Sequence, residues 1–375
     1  MADVVKLDRK ISAAFNFYAY EIKFALCLML LTLFSLPSSA GYAEGMAALN
    51  NGDYKTASIE FLSLAEQGNA EAQTRLGFLY AKGYGVPQDF QQAVAWFQKA
   101  AEQEFSGGQY NLGMMYAVGQ GVPQDYRQAV FWFRKAAEQG FVDAQYNLGL
   151  MYIRGREVLN DDRQAETWFR KAAEQGKVEA QHNLGLLYAN GIGVPKDFQQ
   201  ALIWFHKAAE QGYPNAQNEL GGMYAKGLGV PRDDQQAVTW LRKAAEQGYA
   251  KAQNNLGGMY YGGVGVPRDA RQAAVWFRKA AEQGEVKAQY NMGNFYLNGI
   301  VVSRDYQQAA VWFRKAAEQG YANAQNKLGE MFVLGQGMPK DFRQAEIWFR
   351  KAAGQGNDAA QKNLDKILRS SNARG

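Results

Sequence analysis

The sequence predicts an all-α fold, a right-handed α/α superhelical solenoid of 36-residue helix-turn-helix repeats. Two observations predict this architecture. Apolar residues recur at helical spacing, and no segment has the two-residue alternation typical of a strand. All eight tryptophans also stand at one fixed spacing of 36 residues: Trp96, Trp132, Trp168, Trp204, Trp240, Trp276, Trp312 and Trp348. Self-similarity at this period is typical of stacked repeats, whose units bury their apolar faces against one another.

The first helix of each repeat carries one apolar stripe. Ala72, Leu76 and Tyr80 are spaced four residues apart, which places them on one helical face. Gly77 follows Leu76 in a Leu-Gly pair that recurs along the chain, and we expect it to let the partner helix approach closely. Gly83 tolerates the left-handed conformation that ends many helices. The first helix therefore ends at Gly83.

The second helix of each repeat begins after an aspartate. Asp89 is a good N-cap, and Gln92 three residues later predicts a capping box. Trp96 and Phe97 face inward in this interpretation, with the tryptophan filling the space between neighbouring repeats. The helix ends in Ala-Glu-Gln-Gly, and Gly140 is an example of the stop.

The two ends of the array are predicted to be caps. Residues 44–68 indicate a degenerate helix pair, in which Phe61 falls one period before Phe97. Eight repeats occupy 69–356. Residues 357–375 then form a lone capping helix and a tail, because a terminal repeat must present one face to water.

A few repeats depart from the pattern. The loops Arg156–Asn160 and Ile300–Ser303 lack the usual glycine and proline. Glu104 replaces the glycine that ends the other second helices, and Gly107 and Gly108 weaken the first helix that follows. We expect local bending or loosening at these joints.

The repeating unit resembles the Sel1-like repeat, a relative of the tetratricopeptide repeat. The unit is Ala-Gln-x-x-Leu-Gly-x-x-Tyr-x-x-Gly-x-Gly-Val-Pro-x-Asp-x-x-x-Ala-x-x-Trp-Phe-x-Lys-Ala-Ala-Glu-Gln-Gly, and the resemblance covers residues 69–368. It implies an α/α superhelix of the bacterial exported type and, for most members, a binding scaffold rather than an enzyme. Members of a cysteine-rich secreted branch staple each unit with a disulfide. This chain has no such cysteines, so the properties of that branch do not carry over.

Residues 1–40 have the layout of a secretory signal peptide. An apolar run, Phe24–Leu36, follows positively charged residues and is followed by the small residues Ser38 and Ala40. Its thirteen residues are fewer than the ~20 that a helix needs to span a bilayer. We expect an exported protein, periplasmic or secreted, without a stable membrane span after cleavage. Whether the segment is cleaved or retained as an anchor is left open.

The composition leaves few residues for catalysis. The chain has one Cys and two His, and its formal net charge of +5 is too small and too evenly spread for a nucleic-acid-binding surface. No nucleophile–base pair or phosphate-binding glycine loop stands at a recognisable spacing. We therefore predict no catalytic residue, no cofactor, no metal and no nucleic-acid partner, and a chain that is a monomer and not an enzyme.

The candidate binding surface lies on the first helices. A helical wheel centred on Leu76 points the positions of Thr74 and Phe78 away from the core. In the first four repeats these two positions are mostly apolar or aromatic, whereas amide and small residues such as Gly222 and Gly258 replace them later. Exposed apolar strips usually mark contact surfaces. The predicted groove for a protein or peptide consists of Phe78, Tyr110, Met114, Tyr146, Leu150, Ile153, His182 and Leu186.

The leading hypothesis is a non-enzymatic protein–protein interaction scaffold or adaptor of the bacterial cell envelope that binds its ligand on the concave surface. Two alternatives stay open. One is a binder of cell-wall glycan or peptidoglycan, and the other is a hydrolase such as a β-lactamase-like enzyme. A recurring asparagine, Asn147 in the third repeat, is either a clamp for a ligand backbone or a polar ladder between repeats. The recurring Gln73 position is assigned to such a structural ladder.

Overall fold

The computed structural model of the chain describes residues 40–155 and 161–372. The predicted signal segment up to residue 39 and the predicted irregular loop Arg156–Asn160 lie outside the described residues. The chain divides into two compact units between Lys196 and Asp197. Within the described ranges, every regular element is an α-helix.

The described residues of the first unit form nine helices, which pack one after another along the chain. They are α1 Ala40–Asn50, α2 Tyr54–Glu66, α3 Ala70–Lys82, α4 Phe90–Glu102, α5 Ser106–Val118, α6 Tyr126–Glu138, α7 Val142–Arg154, α8 Asp162–Glu174 and α9 Val178–Asn190.

Ten helices pack in the same consecutive way in the second unit, as far as residue 372. They are α10 Phe198–Glu210, α11 Pro214–Lys226, α12 Asp234–Glu246, α13 Ala250–Gly262, α14 Ala270–Glu282, α15 Val286–Asn298, α16 Tyr306–Glu318, α17 Ala322–Leu334, α18 Phe342–Ala353 and α19 Asp358–Asn372. The all-α prediction and the 36-residue helical repeat are confirmed. The right-handed superhelical path stays a prediction.

A phenylalanine ring on a glycine forms the centre of most hairpins. Between α11 and α12, Leu241 replaces the ring, and a Cβ built on Gly221 would lie 2.7 Å from it. The ring of Phe97 on α4 is buried against Gly77 on α3, where a Cβ would lie 2.7 Å from the ring. That distance is too short for any side chain, so only glycine lets the two helices enclose the ring. The same pairing recurs between Gly113 and Phe133, Gly149 and Phe169, Gly257 and Phe277, Gly293 and Phe313, and Gly329 and Phe349.

The tryptophans join neighbouring repeats, as the sequence predicts. Trp312 on α16 packs against the core cluster that surrounds Phe277 of the preceding repeat. Trp348 on α18 likewise packs against the cluster that contains Phe313. Each of these tryptophans therefore packs against the core of the repeat before its own.

The aspartate caps are confirmed. The second predicted hydrogen bond of the capping box, from the aspartate N–H group to the glutamine side chain, is wrong. Asp89 Oδ1 accepts hydrogen bonds from the N–H groups of Gln91 and Gln92, at 2.9 and 3.0 Å. The N–H group of Asp89 donates to the carbonyl of Tyr80, at 2.9 Å, rather than to the side chain of Gln92. The chain returns so tightly after Gly83, whose φ is +71°, that the end of α3 already supplies this acceptor.

A buried glutamine cross-links three helices in each repeat, which confirms the structural role predicted for this position. Gln253 on α13 donates from Nε2 to the carbonyl of Ala245 on α12, at 3.1 Å. Its Oε1 accepts from Gln283, directly after α14, at 2.8 Å. Both ends of the buried amide are thus satisfied, as a polar group in a core requires. The acceptor half of the pattern recurs at Gln73, Gln109, Gln145, Gln217, Gln289 and Gln325.

Where the structure describes them, the irregular repeats keep the standard backbone. Glu104 and Val301 have φ values of +61° and +54°, the left-handed conformation that glycine adopts at the equivalent positions. Helix α5 keeps the thirteen residues of its neighbours in spite of Gly107 and Gly108. A Cβ at Gly108 would lie 2.5 Å from the Cβ of Ala100, so the helices approach closely there. The loosening expected at the start of α5 is not observed.

In the described part of the chain, no helix has the length and apolar character needed to cross a bilayer.

Two adjacent glycines on α13 give a matched test of the ring contact. Gly257→Ala places a Cβ 2.8 Å from the ring of Phe277, whereas Gly258→Ala places one where no atom lies within 4 Å. We expect Gly257→Ala to lower the free energy of unfolding by about 1–3 kcal/mol through overpacking. Gly258→Ala should raise it by up to about 1 kcal/mol through helix propensity. Urea denaturation followed by circular dichroism measures both, and a change of the same sign in the two variants would contradict the contact.

Candidate functional site

The eight residues of the predicted groove lie on four first helices of the first unit and are called here the first-helix wall. They are Phe78 on α3, Tyr110 and Met114 on α5, Tyr146, Leu150 and Ile153 on α7, and His182 and Leu186 on α9. Most of them occupy one of two positions that recur every 36 residues, so equivalent side chains follow one another from helix to helix.

The exposure predicted for the wall is correct only in part. Phe78, Tyr110, Met114, Tyr146 and Ile153 are half-buried, with part of each side chain accessible to solvent. The prediction is wrong for the remaining three, because Leu150 and Leu186 are 6% exposed and His182 is 8% exposed. The helical wheel treats a helix in isolation, whereas α7, for example, is covered on two sides by α6 and α8.

Tyr110 is held in a fixed place on the wall. Its ring centroid lies 5.0 Å from that of Phe141 and 5.7 Å from that of Phe133. Its hydroxyl accepts a hydrogen bond from Nδ2 of Asn147, at 3.2 Å, and the same amide lies 3.5 Å from Sδ of Met114. Asn147 on α7 therefore fixes two wall residues of α5, and this part of the wall is preorganised.

A charged group interrupts the wall beside Tyr146. The ring centroid of Tyr146 lies 5.8 Å from that of Phe169 and 5.8 Å from Nζ of Lys177. Lys177 also pairs with Asp143 at 2.7 Å and with Glu179 at 3.6 Å. The ammonium is therefore bound by two carboxylates and an aromatic face. It gives a local polar feature to a surface that is otherwise apolar.

The structure adds aromatic residues that the sequence analysis missed. The ring of Phe78 meets Tyr84 edge-on at 6.0 Å, and Tyr84 stacks on Tyr54 at 4.4 Å. Phe141 and Lys177 were also missed, although both stand at the position just before a first helix, whose identity varies between repeats. That variation is the signal that could have identified them.

The asparagines form a ladder between repeats. In the second unit, each amide donates to the residue 37 positions earlier, at 2.8–3.0 Å: Asn255 to Asn218, Asn291 to Asn254 and Asn363 to Asn326. Asn147 makes the equivalent bond to Tyr110. Of the two roles left open for these residues, the geometry favours the ladder over a clamp for a ligand backbone.

The position of Phe78 faces open space in two repeats of the second unit. Gly222 and Gly258 occupy it there, and a Cβ built on either would have no other atom within 4 Å. Glycine inside a helix costs about 1 kcal/mol relative to alanine, and packing does not require it at these two places. The surface at this position is therefore free to vary between repeats.

The titratable groups near these helices have structural partners. Burial, together with a hydrogen bond from its hydroxyl to Glu71, raises the pKa of Tyr42 on α1 to about 12. The tyrosine stays protonated at neutral pH and joins the cap helix α1 to α3. His206 on α10 pairs with Glu210 at 3.3 Å and meets Trp240 edge-on at 5.6 Å. Among the residues that the structure describes, no group of three or more His, Cys, Asp or Glu could hold a metal ion.

Comparison with known proteins gives consistent matches. The Sel1 repeat family matches eight consecutive segments: 70–105, 106–141, 142–177, 178–213, 214–249, 250–285, 286–321 and 322–357. A protective antigen of uropathogenic Escherichia coli strains that displays an SLR fold is 42% identical with a TM-score of 0.74, over 84% of this chain and 67% of the antigen. A Sel1 repeat protein from Oxalobacter formigenes is 34% identical with a TM-score of 0.69, over 92% of this chain and 99% of that protein. None of the curated protein sequences matches the chain.

Burial differs along the wall, and this difference predicts two distinct mutational outcomes. Leu150→Ala removes a buried side chain and should lower the free energy of unfolding by about 2–5 kcal/mol. Met114→Ala, at the same position one repeat earlier, removes a half-buried side chain and should cost less than about 2 kcal/mol. Urea denaturation measures both. Equal losses would show that the wall is uniformly core or uniformly surface.

Proposed function

The chain belongs to the Sel1 repeat family, and we propose from this premise that it is a non-enzymatic scaffold that binds a protein or peptide segment along the first-helix wall. Sel1 repeat proteins are generally protein–protein interaction scaffolds. One observation carries the proposal for this chain. Five large apolar or aromatic side chains stay partly accessible on three successive first helices of one unit, and all but Ile153 occupy the two recurring positions: Phe78, Tyr110, Met114, Tyr146 and Ile153.

The chemistry of these five residues suits a protein ligand. Aromatic residues and methionine are enriched where proteins meet, because they bury a large apolar area at little conformational cost. A core would have covered them fully, as it covers Phe97 and Phe133 on the neighbouring second helices. Partly accessible side chains of this size gain stability when a ligand removes them from water.

The spacing of the wall suits a linear ligand. Each repeat presents equivalent positions, so successive residues of a peptide meet successive helices. Asn147 holds Tyr110 and Met114 in place before a ligand arrives, which lowers the entropy cost of binding. The group of Lys177, Asp143 and Glu179 supplies a polar feature that would orient the ligand along the wall.

We place this scaffold in the bacterial cell envelope, exported to the periplasm or beyond. The signal-peptide layout of residues 1–40 supports this location. The 42% identical relative is described as a protective antigen, which also supports a position outside the cytoplasm, because antibodies reach antigens there.

The two alternative functions have less support. A glycan binder would use the asparagines for hydrogen bonding, but those of the second unit bond one another across repeats. A hydrolase such as a β-lactamase-like enzyme would need a nucleophile and a base, and the sequence has no such pair at a recognisable spacing. The peptide-binding scaffold is therefore the function that the wall supports best.

Peptides selected from a random displayed library on the purified chain test the proposal. Met114→Ala combined with Tyr146→Ala should weaken binding of the selected peptides by about tenfold or more, because interface anchors typically contribute above 1 kcal/mol each. Leu150 is left intact because its burial would confound binding with stability.

The matched control for this test lies in the second unit. Tyr290→Ala combined with Asn294→Ala changes the two equivalent positions on α15 and should leave peptide affinity unchanged. Thermal denaturation checks that both double variants stay folded. Peptides that bind the wild type and the wall variant equally well would refute the proposed site.

A further inference from the structure

Three exposed apolar side chains stand in line on the second helices of the last repeats. Val275 on α14, Val311 on α16 and Ile347 on α18 are 46%, 46% and 44% exposed, and each is 36 residues from the last. A single exposed valine is ordinary on a protein surface. Three at equivalent positions on successive second helices of one unit form an apolar row, and the packing of the repeats does not account for it.

A partly exposed tryptophan and a lysine accompany each member of this row. Trp276, Trp312 and Trp348 are half-buried, whereas Trp168 and Trp204 are buried. The ammonium groups of the lysines three residues further on lie 4.4–4.6 Å from the centroids of these three indole rings: Lys279, Lys315 and Lys351. Each hairpin therefore presents a β-branched side chain, a partly exposed indole and a cation close together.

The surface around this row is basic. The segments 268–282, 304–318 and 340–354 carry eleven basic side chains against six acidic ones, and all eleven are exposed: Arg268, Arg271, Arg278, Lys279, Arg304, Arg314, Lys315, Lys340, Arg343, Arg350 and Lys351. The equivalent segments 88–102, 124–138 and 160–174 carry seven basic and eight acidic residues. Part of the difference comes from one position, which is Gln88 and Gln124 early but Arg268, Arg304 and Lys340 late.

We propose that this second-helix patch, formed by Val275, Val311 and Ile347 with their tryptophans and the surrounding basic residues, binds the surface of a membrane that contains anionic phospholipid. Basic residues next to indoles and β-branched side chains suit the bilayer interface. There the cations meet lipid phosphates while the apolar groups enter the headgroup region. The proposal concerns a peripheral contact and does not depend on peptide binding by the first-helix wall.

Charge and repetition favour a membrane over other occupants. The same group of side chains recurs three times, which suits a partner whose surface is laterally uniform. A nucleic acid would neutralise the cations but leave the apolar row in water. A second copy that docked through the same patch would bring two basic surfaces together and be repelled.

Two variants built from the chain's own repeats test the proposal. Val275→Thr, Val311→Thr and Ile347→Thr together introduce the residue that Thr239 supplies at this position. Arg268→Gln, Arg304→Gln and Lys340→Gln together introduce the residue that Gln88 supplies. All six positions are exposed, so we expect both triple variants to fold as the wild type does.

Co-sedimentation with vesicles measures binding. The full chain is mixed with vesicles of phosphatidylcholine alone or of phosphatidylcholine with phosphatidylglycerol. The apolar segment Phe24–Leu36 is common to all variants, so the ratio of binding to the two vesicle types is the readout. The matched control is Ile59→Thr with Phe131→Thr, which changes the equivalent exposed positions of the first unit.

We expect the wild type and the control to prefer phosphatidylglycerol vesicles and to lose that preference as salt rises. Each basic side chain near an anionic surface is worth about fivefold in partition, so the glutamine variant should bind these vesicles roughly tenfold to a hundredfold less. The threonine variant should also bind less.

Three results would overturn the proposal. They are no preference for phosphatidylglycerol in the wild type, equal binding by wild type and both triple variants, and a concentration-dependent dimer that the threonine substitutions abolish. The last would assign the patch to a second copy of the chain, and light scattering detects it.

Discussion

The close contact between a buried side chain of the second helix and a glycine on the facing first helix is the constraint on which the hairpins depend. The buried side chain is a phenylalanine in most repeats and Leu241 in one. At Gly77 and Phe97 the ring occupies the space that a Cβ would need, so the two helices of a hairpin approach to a distance that only glycine permits. The tryptophan of the following repeat then closes the core, as Trp312 does beside Phe277. Each hairpin is thus stabilised by the next one through contacts that are nearly the same in each repeat.

Buried amides fix the stacking that these apolar contacts drive. Gln253 on α13 is hydrogen-bonded to Ala245 on α12 and to Gln283, which follows α14. Both ends of its amide are satisfied only when these three helices lie in register. The asparagine pairs, such as Asn255 with Asn218, do the same between first helices. Hydrophobic burial is not directional, whereas an amide pair accepts few arrangements. The hydrogen bonds of the glutamines and asparagines therefore determine how the repeats stack. Residues that belong neither to the apolar core nor to these hydrogen bonds are free to change.

The sequence predicts the features that are local and repeated. Period, helix ends, aspartate caps and the glutamine ladder follow from spacing and residue type, and they are observed. Burial on the first helices was predicted less well, because Leu150 and His182 are covered by neighbouring helices that a wheel of one helix does not contain. The aromatic stack of Tyr54 on Tyr84 joins a cap helix to a loop and has no periodic signal. The exposed apolar residues of the second helices, at Val275 and its equivalents, were also missed, because the repeated apolar residues were all attributed to the core.

We assign the function of this chain to surface positions whose residues vary between repeats. The core and hydrogen-bonding residues beneath them stay nearly the same. The wall around Tyr110 and Tyr146 is the surface to which we assign ligand binding. A crystal structure of the chain with a peptide that it selects tests the assignment most directly. We expect the peptide to lie along α3, α5 and α7, in contact with Tyr110 and Tyr146, while the phenylalanine–glycine contacts stay as they are. A peptide seated elsewhere, with the wall open to solvent, would contradict it.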